Sequence, residues 1–307
     1  MSISRDIPFA ALSALAAVAK HASLTVAAKQ LGITASAVSQ ALVSLEKRIG
    51  APVVVRGRRG VRLTETGELL VARCEPALRQ VVDGFEEAVA VQGQLAGKLR
   101  LNVPRISIPS VISPVLPELR LRYPKLDVEI TVDDAFVDIV AGRFDAGVRL
   151  SESIEGDMVA VRLTPEFRFV IVGSPEFLAR YGTPKRPRDL EDVPCVVFRG
   201  AATGATYRWE LSSGKREHII AVSGPLVTND HELMVNAALS GIGLAYVSEP
   251  LVRHHLVSGA LVSVLSSYRT EVPGHFAYFP RSNAKLPRLR AFLDTARSVL
   301  LRSAPIV

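Results

Sequence analysis

The stretch Ser23–Gly50 constrains this chain most, because its residues specify two helices and a tight turn between them. Ser23 is a favourable N-cap, since its hydroxyl can accept a hydrogen bond from an amide of the first helical turn. Gly32 can end that helix in the left-handed conformation at low steric cost, and Thr34 is the next cap. The sequence therefore predicts a short helix, a glycine turn and a second helix.

The predicted second helix, residues 35–49, has an apolar face and a polar face. Its apolar positions follow helical spacing and are Val38, Ala41, Leu42, Leu45 and Ile49. Small polar residues lie off this stripe, which favours close entry of the helix into the major groove of DNA. The predicted DNA contacts here are Thr34, Ala35, Ser36, Ser39 and Gln40. Glutamine suits the N6/N7 edge of adenine. An αα-hairpin of an ordinary helical domain is the alternative interpretation.

A basic ribbon punctuated by glycines follows directly, over residues 56–64. Segments 53–55 and 61–63 can pair as a small hairpin, a wing, with Gly57–Gly60 at its tip. Four arginines then lie near phosphates or a minor groove. They are Arg56, Arg58, Arg59 and Arg62. A solvated basic loop is the alternative, which the position directly after a helix-turn-helix disfavours.

Residues 9–67 resemble the DNA-binding domain of LysR-type transcriptional regulators. The residues that carry the resemblance are Ala22-Ser23, Ala27-Ala28, Leu31-Gly-Ile-Thr34, Ala37-Val-Ser39, Leu45-Glu46, Gly50, Arg56, Arg59 and Leu63-Thr-Glu-Thr-Gly67. Ala35 stands where the family often has glutamine; it cannot hydrogen-bond a base, although it can contact a thymine methyl group. Val53-Val54 stand where the family usually has Leu-Phe, which leaves less buried volume under the wing.

Positive charge is concentrated in the first part of the chain. Residues 1–65 hold nine lysines and arginines against three acids, a net charge of +6, whereas the whole chain of 307 residues carries +7. A nucleic-acid-binding head on a nearly neutral body has this distribution. A membrane-surface patch is the rival, but it requires a basic amphipathic helix with large apolar residues. The length implies two or three domains.

The apolar run Ile7–Ala19 imitates a secretory leader. We interpret it as a first helix, because Asp6 cancels the charge of Arg5 and the apolar residues follow helical spacing. No run reaches the ~18 apolar residues of a membrane span, so no membrane partner is expected. Cys74 and Cys195 are far apart, so we expect neither a disulfide nor a metal site, and we predict reduced thiols in the cytoplasm.

A long helix is predicted from Thr64 to about Gln94, through the apolar positions Leu78, Val82, Phe85 and Val89. It should span roughly 45 Å, and Pro76 should kink it or break an early turn. Such a helix needs a partner helix to bury its apolar face. The partner is the same helix of a second subunit or, alternatively, the body of its own chain. The family resemblance favours a homodimer or homotetramer that reads two half-sites.

After a hinge at Gln94–Lys98, strands and helices alternate, which predicts an α/β domain with a mainly parallel sheet. The predicted strands are 99–103, 126–132, 146–150, 168–173, 195–199, 208–211, 218–222, 226–228, 243–247 and 276–279. The predicted helices are an irregular one at 107–123, a short one at Phe136–Ala141, and 175–181, 231–240 and 287–301.

This region resembles the effector domain of the same family, which has the two-lobed fold of type II periplasmic binding proteins. The marker stretches are Gly97-Lys-Leu-Arg-Leu101, Arg122-Tyr-Pro124, Asp138-Ile-Val140, Phe144-Asp-Ala-Gly-Val-Arg149, Gly241-Ile-Gly-Leu-Ala245 and Ala291-Phe-Leu293. The runs 143–153 and 224–230 look like the group that includes the peptidoglycan-recycling regulator of enteric bacteria.

The resemblance implies three segments: a winged helix-turn-helix head at 1–65, a linker helix at 66–95 and an α/β effector-binding domain at 96–307. Lobe I of that domain is expected at 99–165 and 273–307, and lobe II at 166–272.

In this fold the ligand lies between the lobes, at strand ends and helix N-termini. The candidate effector-binding residues are Arg105, Ile106, Ser107, Asp133, Arg149, Arg199, Asn229 and Asp230. Around Arg105–Ser107, free N–H groups and the helix dipole favour an anion. Asn229 or Asp230 is alternatively the N-cap of the next helix. For Arg105 and Arg149, a salt bridge with Asp133 or Asp134 is the alternative.

The sequence holds no enzyme motif: no Gly-x-Ser-x-Gly, no phosphate loop and no His-Glu-x-x-His. We therefore expect a cytoplasmic LysR-type transcriptional regulator that is not an enzyme and uses no cofactor or metal. Its expected partners are double-stranded operator DNA, a small carboxylate or zwitterion as effector, and RNA polymerase.

Two other classes of protein remain as alternatives. A secreted solute-binding protein with residues 1–19 as its signal predicts no affinity for DNA. A nonspecific architectural DNA-binding protein predicts equal binding to any sequence, with a steep dependence on salt.

Overall fold

The computed structural model describes residues 8–57, 60–90, 95–150, 158–200, 204–214, 216–268 and 270–301. The chain divides into two compact units between Ala88 and Val89. Two predicted features, the wing arginines Arg58 and Arg59 and the hinge residue Gln94, lie outside the described residues. Within the described ranges, no helix is both long and apolar enough to cross a membrane.

Three helices and a hairpin form the first part of the N-terminal unit. The helices are α1 (Phe9–His21), α2 (Leu24–Leu31) and α3 (Ala35–Ile49), and the hairpin strands are β1 (Val54–Gly57) and β2 (Gly60–Leu63). The predicted caps set the helix bounds. Ser23 Oγ accepts from the Val26 amide at 3.4 Å, and Thr34 Oγ1 accepts from the Ala37 amide at 3.2 Å. Gly32 between the helices is left-handed, with φ +67°.

One apolar core joins these elements. Its buried side chains come from all three helices and the wing and include Leu15, Ala27, Val38, Leu42 and Val53. The predicted apolar stripe of α3 is confirmed at Val38, Leu42 and Leu45 but is wrong at Ile49, which is 39% exposed. Ile49 is the last residue of α3, and the buried part of that helix ends at Leu45.

Hydrogen bonds donated by backbone amides fix the wing to the helices. The Val61 amide donates to the Ala22 carbonyl at 3.0 Å, and a Cβ on the neighbouring Gly60 would lie 2.8 Å from the same oxygen. At the other end of the hairpin, Glu46 Oε1 accepts from the Val53 amide at 2.9 Å. The position of the wing relative to α3 is therefore set by contacts at both ends.

A long helix, α4 (Glu65–Ala90), follows the wing. Thr64 caps it, since its Oγ1 accepts from the Gly67 amide at 3.1 Å, and the Thr64 amide donates to the Val53 carbonyl at 3.1 Å. Of the two predicted effects of Pro76, the break is wrong, because the turns on both sides stay helical, and the kink stays a prediction.

The C-terminal unit alternates strands and helices, with several short irregular turns. Its strands are β3 (Ala96–Val103), β4 (Lys125–Val132), β5 (Ala146–Leu150), β6 (Met158–Arg162), β7 (Phe167–Gly173), β8 (Val196–Phe198), β9 (Trp209–Ser213), β10 (Arg216–Ile220), β11 (Leu226–Thr228), β12 (Ala245–Ser248), β13 (Val262–Val264), β14 (Thr270–Val272) and β15 (His275–Pro280). Its helices are α5 (Ser113–Arg122), α6 (Pro175–Tyr181), α7 (His231–Leu239), α8 (Glu249–Val257) and α9 (Pro287–Leu300). A π-helical turn, Ile108–Ile112, precedes α5, and 3-10 turns lie at Pro187–Glu191 and Arg281–Lys285.

Two main sheets organise this unit. The first has the order β4-β3-β5-β15-β6, and α5 and α9 cover one of its faces with a common apolar core. In the second, β7 pairs with β12, β13 and β14. The parallel pair β8-β11 and the hairpin β9-β10 complete the second half of the unit.

The prediction of a mainly parallel sheet is wrong. β3 is parallel to β4 and β5, but β15 is antiparallel to both of its neighbours, and all three partners of β7 are antiparallel to it. The reason is the path of the chain: β15 returns from the second sheet, so it enters the first sheet from the opposite end.

The predicted helix at Phe136–Ala141 is also wrong. Asp138 Oδ1 accepts from the Val140 and Ala141 amides at 2.9 and 3.0 Å, which closes one isolated turn in place of a helix. Arg143 then has φ +60° and directs the chain into β5. The sequence analysis predicted neither α8 nor the three strands β6, β13 and β14.

The junction between wing and linker helix gives a first test. In Gly67→Ala the new Cβ would lie 2.1 Å from the Val53 carbonyl oxygen, so we expect a loss of about 2 kcal/mol in the stability of the head. Gly84→Ala in the same helix meets no atom within 4 Å and should be neutral or stabilising by up to about 1 kcal/mol. Hydrogen exchange of the α1–α3 amides measures both. Equal protection in the two variants would contradict the assigned contact.

The buried His275 gives a second test. It is 1% exposed, and burial lowers the pKa of its imidazole from 6.5 to about 4. The unfolded chain binds a proton below about pH 6.5 while the folded chain stays neutral, so His275 should lower stability progressively from pH 6.5 to 4, by about 3 kcal/mol in all. Denaturant unfolding of the wild type and of His275→Gln across this range should show a shallower pH slope for the variant. Identical slopes would contradict the prediction.

Candidate DNA-binding surface and effector cleft

The N-terminal half of α3 presents the predicted DNA-contacting residues to solvent. Ala35, Ser36 and Gln40 are exposed, and Ser39 is half-buried. Thr34 Oγ1 serves the helix cap and also lies 2.9 Å from Ser36 Oγ. The surface is therefore built from small side chains, so the backbone of α3 can approach a groove closely.

A hydrogen bond between two side chains joins the wing to the exposed face of α3. Arg56 Nη2 of β1 donates to Ser39 Oγ at 2.7 Å, which places a guanidinium beside the exposed face of the helix. Arg62 of β2 is exposed. The structure thus brings Arg56, Ser39 and Gln40 to one surface, and Arg62 lies on the hairpin that borders it.

In the C-terminal unit, an ion pair joins the two halves. Arg105 follows β3 of the first sheet, and its Nε lies 3.4 Å from Oδ2 of Asp230, which precedes α7. The Arg105 amide donates to Asp134 Oδ1 at 2.8 Å. Asp230 also caps α7, since its Oδ1 accepts from the Leu233 amide at 2.8 Å. The sequence analysis offered a helix cap and a position in the cleft as alternatives for Asp230. In the structure Asp230 both caps α7 and contacts Arg105.

At the expected anion site, Arg105–Ser107, two of the three backbone amides already have acceptors. The Ser107 amide donates to the Pro104 carbonyl at 3.0 Å, and the Arg105 amide is taken by Asp134, so these donors are not free. Ile106 and the Ser107 side chain are buried. Ser107 Oγ has no hydrogen-bond partner among the described residues.

Arg149 makes contacts that differ from the salt bridge offered as the alternative in the sequence analysis. Its Nη1 donates to the Val148 carbonyl, and its Nη2 donates to Asn102 Oδ1 and the Ala135 carbonyl, each at 2.8 Å. The proposed salt bridge with Asp133 or Asp134 is absent from the described structure. Asp133 Oδ1 instead accepts from the Ala135 amide at 2.9 Å.

The remaining candidates, Arg199 and Asn229, are both exposed. The Arg199 amide extends β8 by donating to the Thr228 carbonyl at 2.8 Å. Neither side chain is brought to Arg105 or Arg149 by any described contact.

The cleft contains one titratable residue that the sequence analysis missed. The ring of His231, the first residue of α7, contacts that of Phe198 in a tilted arrangement, with ring centroids 4.6 Å apart. Burial lowers its pKa, and the nearby carboxylates of Asp134 and Asp230 oppose that shift. Its Nδ1 has no partner in the described part of the chain. The sequence could have indicated His231, because it directly follows Asp230, which was predicted both as a helix cap and as a cleft residue.

Two family models match the chain. One, described as a bacterial regulatory helix-turn-helix protein of the lysR family, matches residues 9–68, and the other, described as a LysR substrate binding domain, matches residues 92–301. This chain belongs to the LysR family of transcription regulators. It therefore joins an N-terminal helix-turn-helix domain to a C-terminal effector-binding domain, as the sequence predicts. Proteins of this family regulate transcription and bind operator DNA and small-molecule effectors.

Relatives of similar length share this organisation. The HTH-type transcriptional regulator YcaN of Escherichia coli is 35% identical over 92% of each chain, and PgrR of the same organism is 30% identical over 92% of this chain and 95% of PgrR. The fold resembles that of CrgA, a LysR-type transcriptional regulator from Neisseria meningitidis, with a TM-score of 0.61, 24% identity and coverage of 94% and 98%. It also resembles full-length AphB of Vibrio cholerae, with a TM-score of 0.61, 18% identity and coverage of 95% and 99%. The membership of a finer subgroup stays a prediction.

Asp230 allows its two roles to be separated. Asp230→Asn keeps a good N-cap but removes the charge that faces Arg105, so we expect a loss of less than about 1 kcal/mol, as for other exposed ion pairs. Asp230→Ala removes both functions and should cost about 1 kcal/mol more. Urea unfolding of the two variants measures this difference. Equal losses would mean that the cap contributes nothing and would contradict the assignment.

Proposed function

We propose that this regulator binds a two-fold-related operator as a homodimer, through α3 and the wing, and that a small molecule in the C-terminal unit controls the binding. In this proposal residues 1–65 read DNA, residues 66–95 join two subunits, and residues 96–307 bind the effector in the cytoplasm. No catalytic step is assigned to any residue, and neither a cofactor nor a metal is required.

The observation that carries the DNA-binding part is the hydrogen bond between Arg56 and Ser39. It aligns a cationic wing with the exposed face of α3 before DNA arrives. Gln40 lies on that face and suits an adenine edge, and Ala35 can contact a thymine methyl group. Arg56 and Arg62, together with Arg58 and Arg59, supply charge for phosphates.

The exposed apolar residues of α4 support the dimer. Leu69, Val81, Val82 and Phe85 are each more than half exposed, and Phe85 reaches 74%. A helix with such a face is stabilised by packing against a second helix. Two α4 helices side by side would carry two heads to two half-sites. Association to a tetramer and contact with RNA polymerase are further parts of the proposal.

The effector part rests on the ion pair between Arg105 and Asp230. It connects the loop after β3 to the start of α7, so a ligand that binds beside it and alters it would change how the two halves of the unit face each other. Such a ligand shifts the equilibrium only if it prefers one arrangement. Arg149 and the residues around it are the second part of the proposed effector site.

Selection of bound fragments from sheared genomic DNA by the full-length protein, at about physiological salt, tests the function. We expect recovery of one or a few sites that share a two-fold motif, because nonspecific binding is suppressed under these conditions. Uniform recovery would favour an architectural DNA-binding protein. The absence of recovery in the presence and absence of cell metabolites would contradict the proposal.

Variants of the head should separate specificity from affinity. Gln40→Ala should relax discrimination at one A·T pair by about 1–3 kcal/mol, because it removes a base contact. Arg62→Ala should weaken binding to all sequences and lower the salt slope by about 1, because it removes a phosphate contact. Arg253→Ala, at an exposed position of α8, is the matched control and should change neither quantity. Fluorescence anisotropy with the selected site and single-base variants measures both; an unchanged profile for Gln40→Ala would exclude it from base reading.

A further inference from the structure

The first sheet of the C-terminal unit carries a guanidinium, that of Arg149, that pairs with no carboxylate among the described residues. Arg149 is half-buried, and its three described hydrogen bonds all go to neutral oxygens, on Val148, Asn102 and Ala135. The Nε–H and one Nη1–H have no acceptor among the described residues. A partly buried charge is ordinarily paired, because taking it from water is otherwise unfavourable.

Asn102 places a second unused donor beside this cation. A guanidinium only donates, so the Asn102 side chain must present Oδ1 to it and turn Nδ2 away. Asn102 is fully buried, and its Nδ2 has no partner within the described chain. A buried amide donor without an acceptor is costly, which indicates an acceptor that binds there.

Tyr278 supplies a third donor on the same face of the sheet. It pairs with Gly147 across β15 and β5, and Gly147 pairs with Asn102 across β5 and β3. Its ring lies over Gly147, so close that a Cβ there would be 2.5 Å from the hydroxyl oxygen. The Arg149 guanidinium carbon is 5.8 Å from the ring centroid. Tyr278 is 5% exposed, and its hydroxyl has no partner in the described residues.

The nearby carboxylates do not serve these donors. Asp133 accepts from the Ala135 amide, and Asp134 accepts from the Arg105 amide, so both are turned toward the backbone of the loops. On the same face, Arg100 is paired with Glu129 at 2.6 Å and Arg162 with Glu166 at 3.6 Å. Within the described residues, Arg149 therefore differs from Arg100 and Arg162 on the same face, because neither of its neighbouring acids pairs with it.

We propose that Arg149, Asn102 and Tyr278 form the binding site for the carboxylate of a small effector with an apolar body. This inference rests on the proposed function, because it assigns the ligand class of the effector-binding domain. The carboxylate oxygens accept from the free Arg149 donors, from Asn102 Nδ2 and from the Tyr278 hydroxyl. A carboxylate suits the site because it neutralises the cation and supplies only acceptors.

Phe136 explains the preference for an apolar body. It is 70% exposed and stacks on Tyr278, with ring centroids 6.2 Å apart. Its neighbour Ala135 holds the loop on Arg149 through its carbonyl. The loop therefore covers the three donors, and a ligand enters by moving Phe136 off Tyr278 and packing its own apolar part between them.

Calorimetric titration of the full-length protein with benzoate, without DNA, tests this site. Benzoate supplies a carboxylate on a planar apolar ring, and benzamide is its neutral isostere. We expect saturable binding of benzoate and at least tenfold weaker binding of benzamide, of the order that charged hydrogen bonds provide. Equal binding of the two, or binding of neither, would overturn the proposal.

Three variants locate the binding. Arg149→Gln should weaken benzoate binding at least about tenfold, and Tyr278→Phe, which loses only a hydroxyl, about fivefold. The control is Arg162→Gln. Arg149 and Arg162 flank Phe276 on its two neighbouring strands, so they lie on the same face of the sheet. The control should leave the affinity for benzoate unchanged. Loss of benzoate binding in the control but not in Arg149→Gln would overturn the assignment.

Asn102→Asp separates a ligand site from a purely structural cluster. The new carboxylate would occupy the position of Oδ1 and neutralise Arg149 internally. We expect a higher melting temperature of the ligand-free protein together with loss of benzoate binding. If the charge of Arg149 is already compensated, the buried acid will instead lower the melting temperature, which would contradict the proposal.

The titration and the fragment selection can fail separately, so their results distinguish the carboxylate site from the proposed function. Fragment selection uses the head and needs no benzoate, so failure of the titration with successful selection rejects the carboxylate site alone. Failure of the selection with specific benzoate binding rejects the regulator function and leaves the site. A selected operator that responds to a different metabolite in both wild type and Arg149→Gln would also overturn this site.

Discussion

The buried ion pair between Arg288 and Asp145 holds the first sheet of the C-terminal unit to its last helix. Arg288 Nε and Nη2 donate to the two carboxylate oxygens at 3.0 and 2.8 Å, and both residues are 6% exposed. Asp145 Oδ2 also accepts from the Arg100 amide at 2.9 Å, so the same carboxylate ties β3 to the start of β5. Removal of either charge would leave the other buried and unpaired, at a cost of about 3–5 kcal/mol.

The position of the candidate effector site depends on this ion pair. Asp145 precedes β5 and Arg149 lies near its end, so fixing the start of the strand also fixes the guanidinium. Asn102 lies two residues after Arg100, on the strand that Asp145 joins to β5. The polar donors therefore lie on a sheet whose register is set from its opposite face, where α9 packs. A sheet with a fixed register is a suitable support for a binding site.

The head depends on a similar combination of local and distant contacts. The caps of α2 and α3 are local, so the sequence predicts their bounds correctly. The docking of the wing uses the Ala22 carbonyl and the Glu46 carboxylate, which accept from amides many residues further along the chain. The motif Leu63–Gly67 has a physical explanation at the same junction. Gly67, at the start of α4, lies so close to the Val53 carbonyl that a Cβ there would clash with it. These contacts could not be inferred from spacing alone.

The sequence by itself determined the helices, the wing, the concentration of positive charge in the head and the family, because caps, periodicity and composition act over short stretches. The sequence pattern wrongly predicted a helix at the turn of Asp138, because a side chain that closes one turn leaves no periodic signal. It also wrongly predicted a mainly parallel sheet, because the direction in which a strand such as β15 enters a sheet has no signal in the sequence. Only the tertiary structure paired Arg105 with Asp230 and placed Asn102, Arg149 and Tyr278 on one face. Those residues are distant in the chain, and strand register alone decides that they meet.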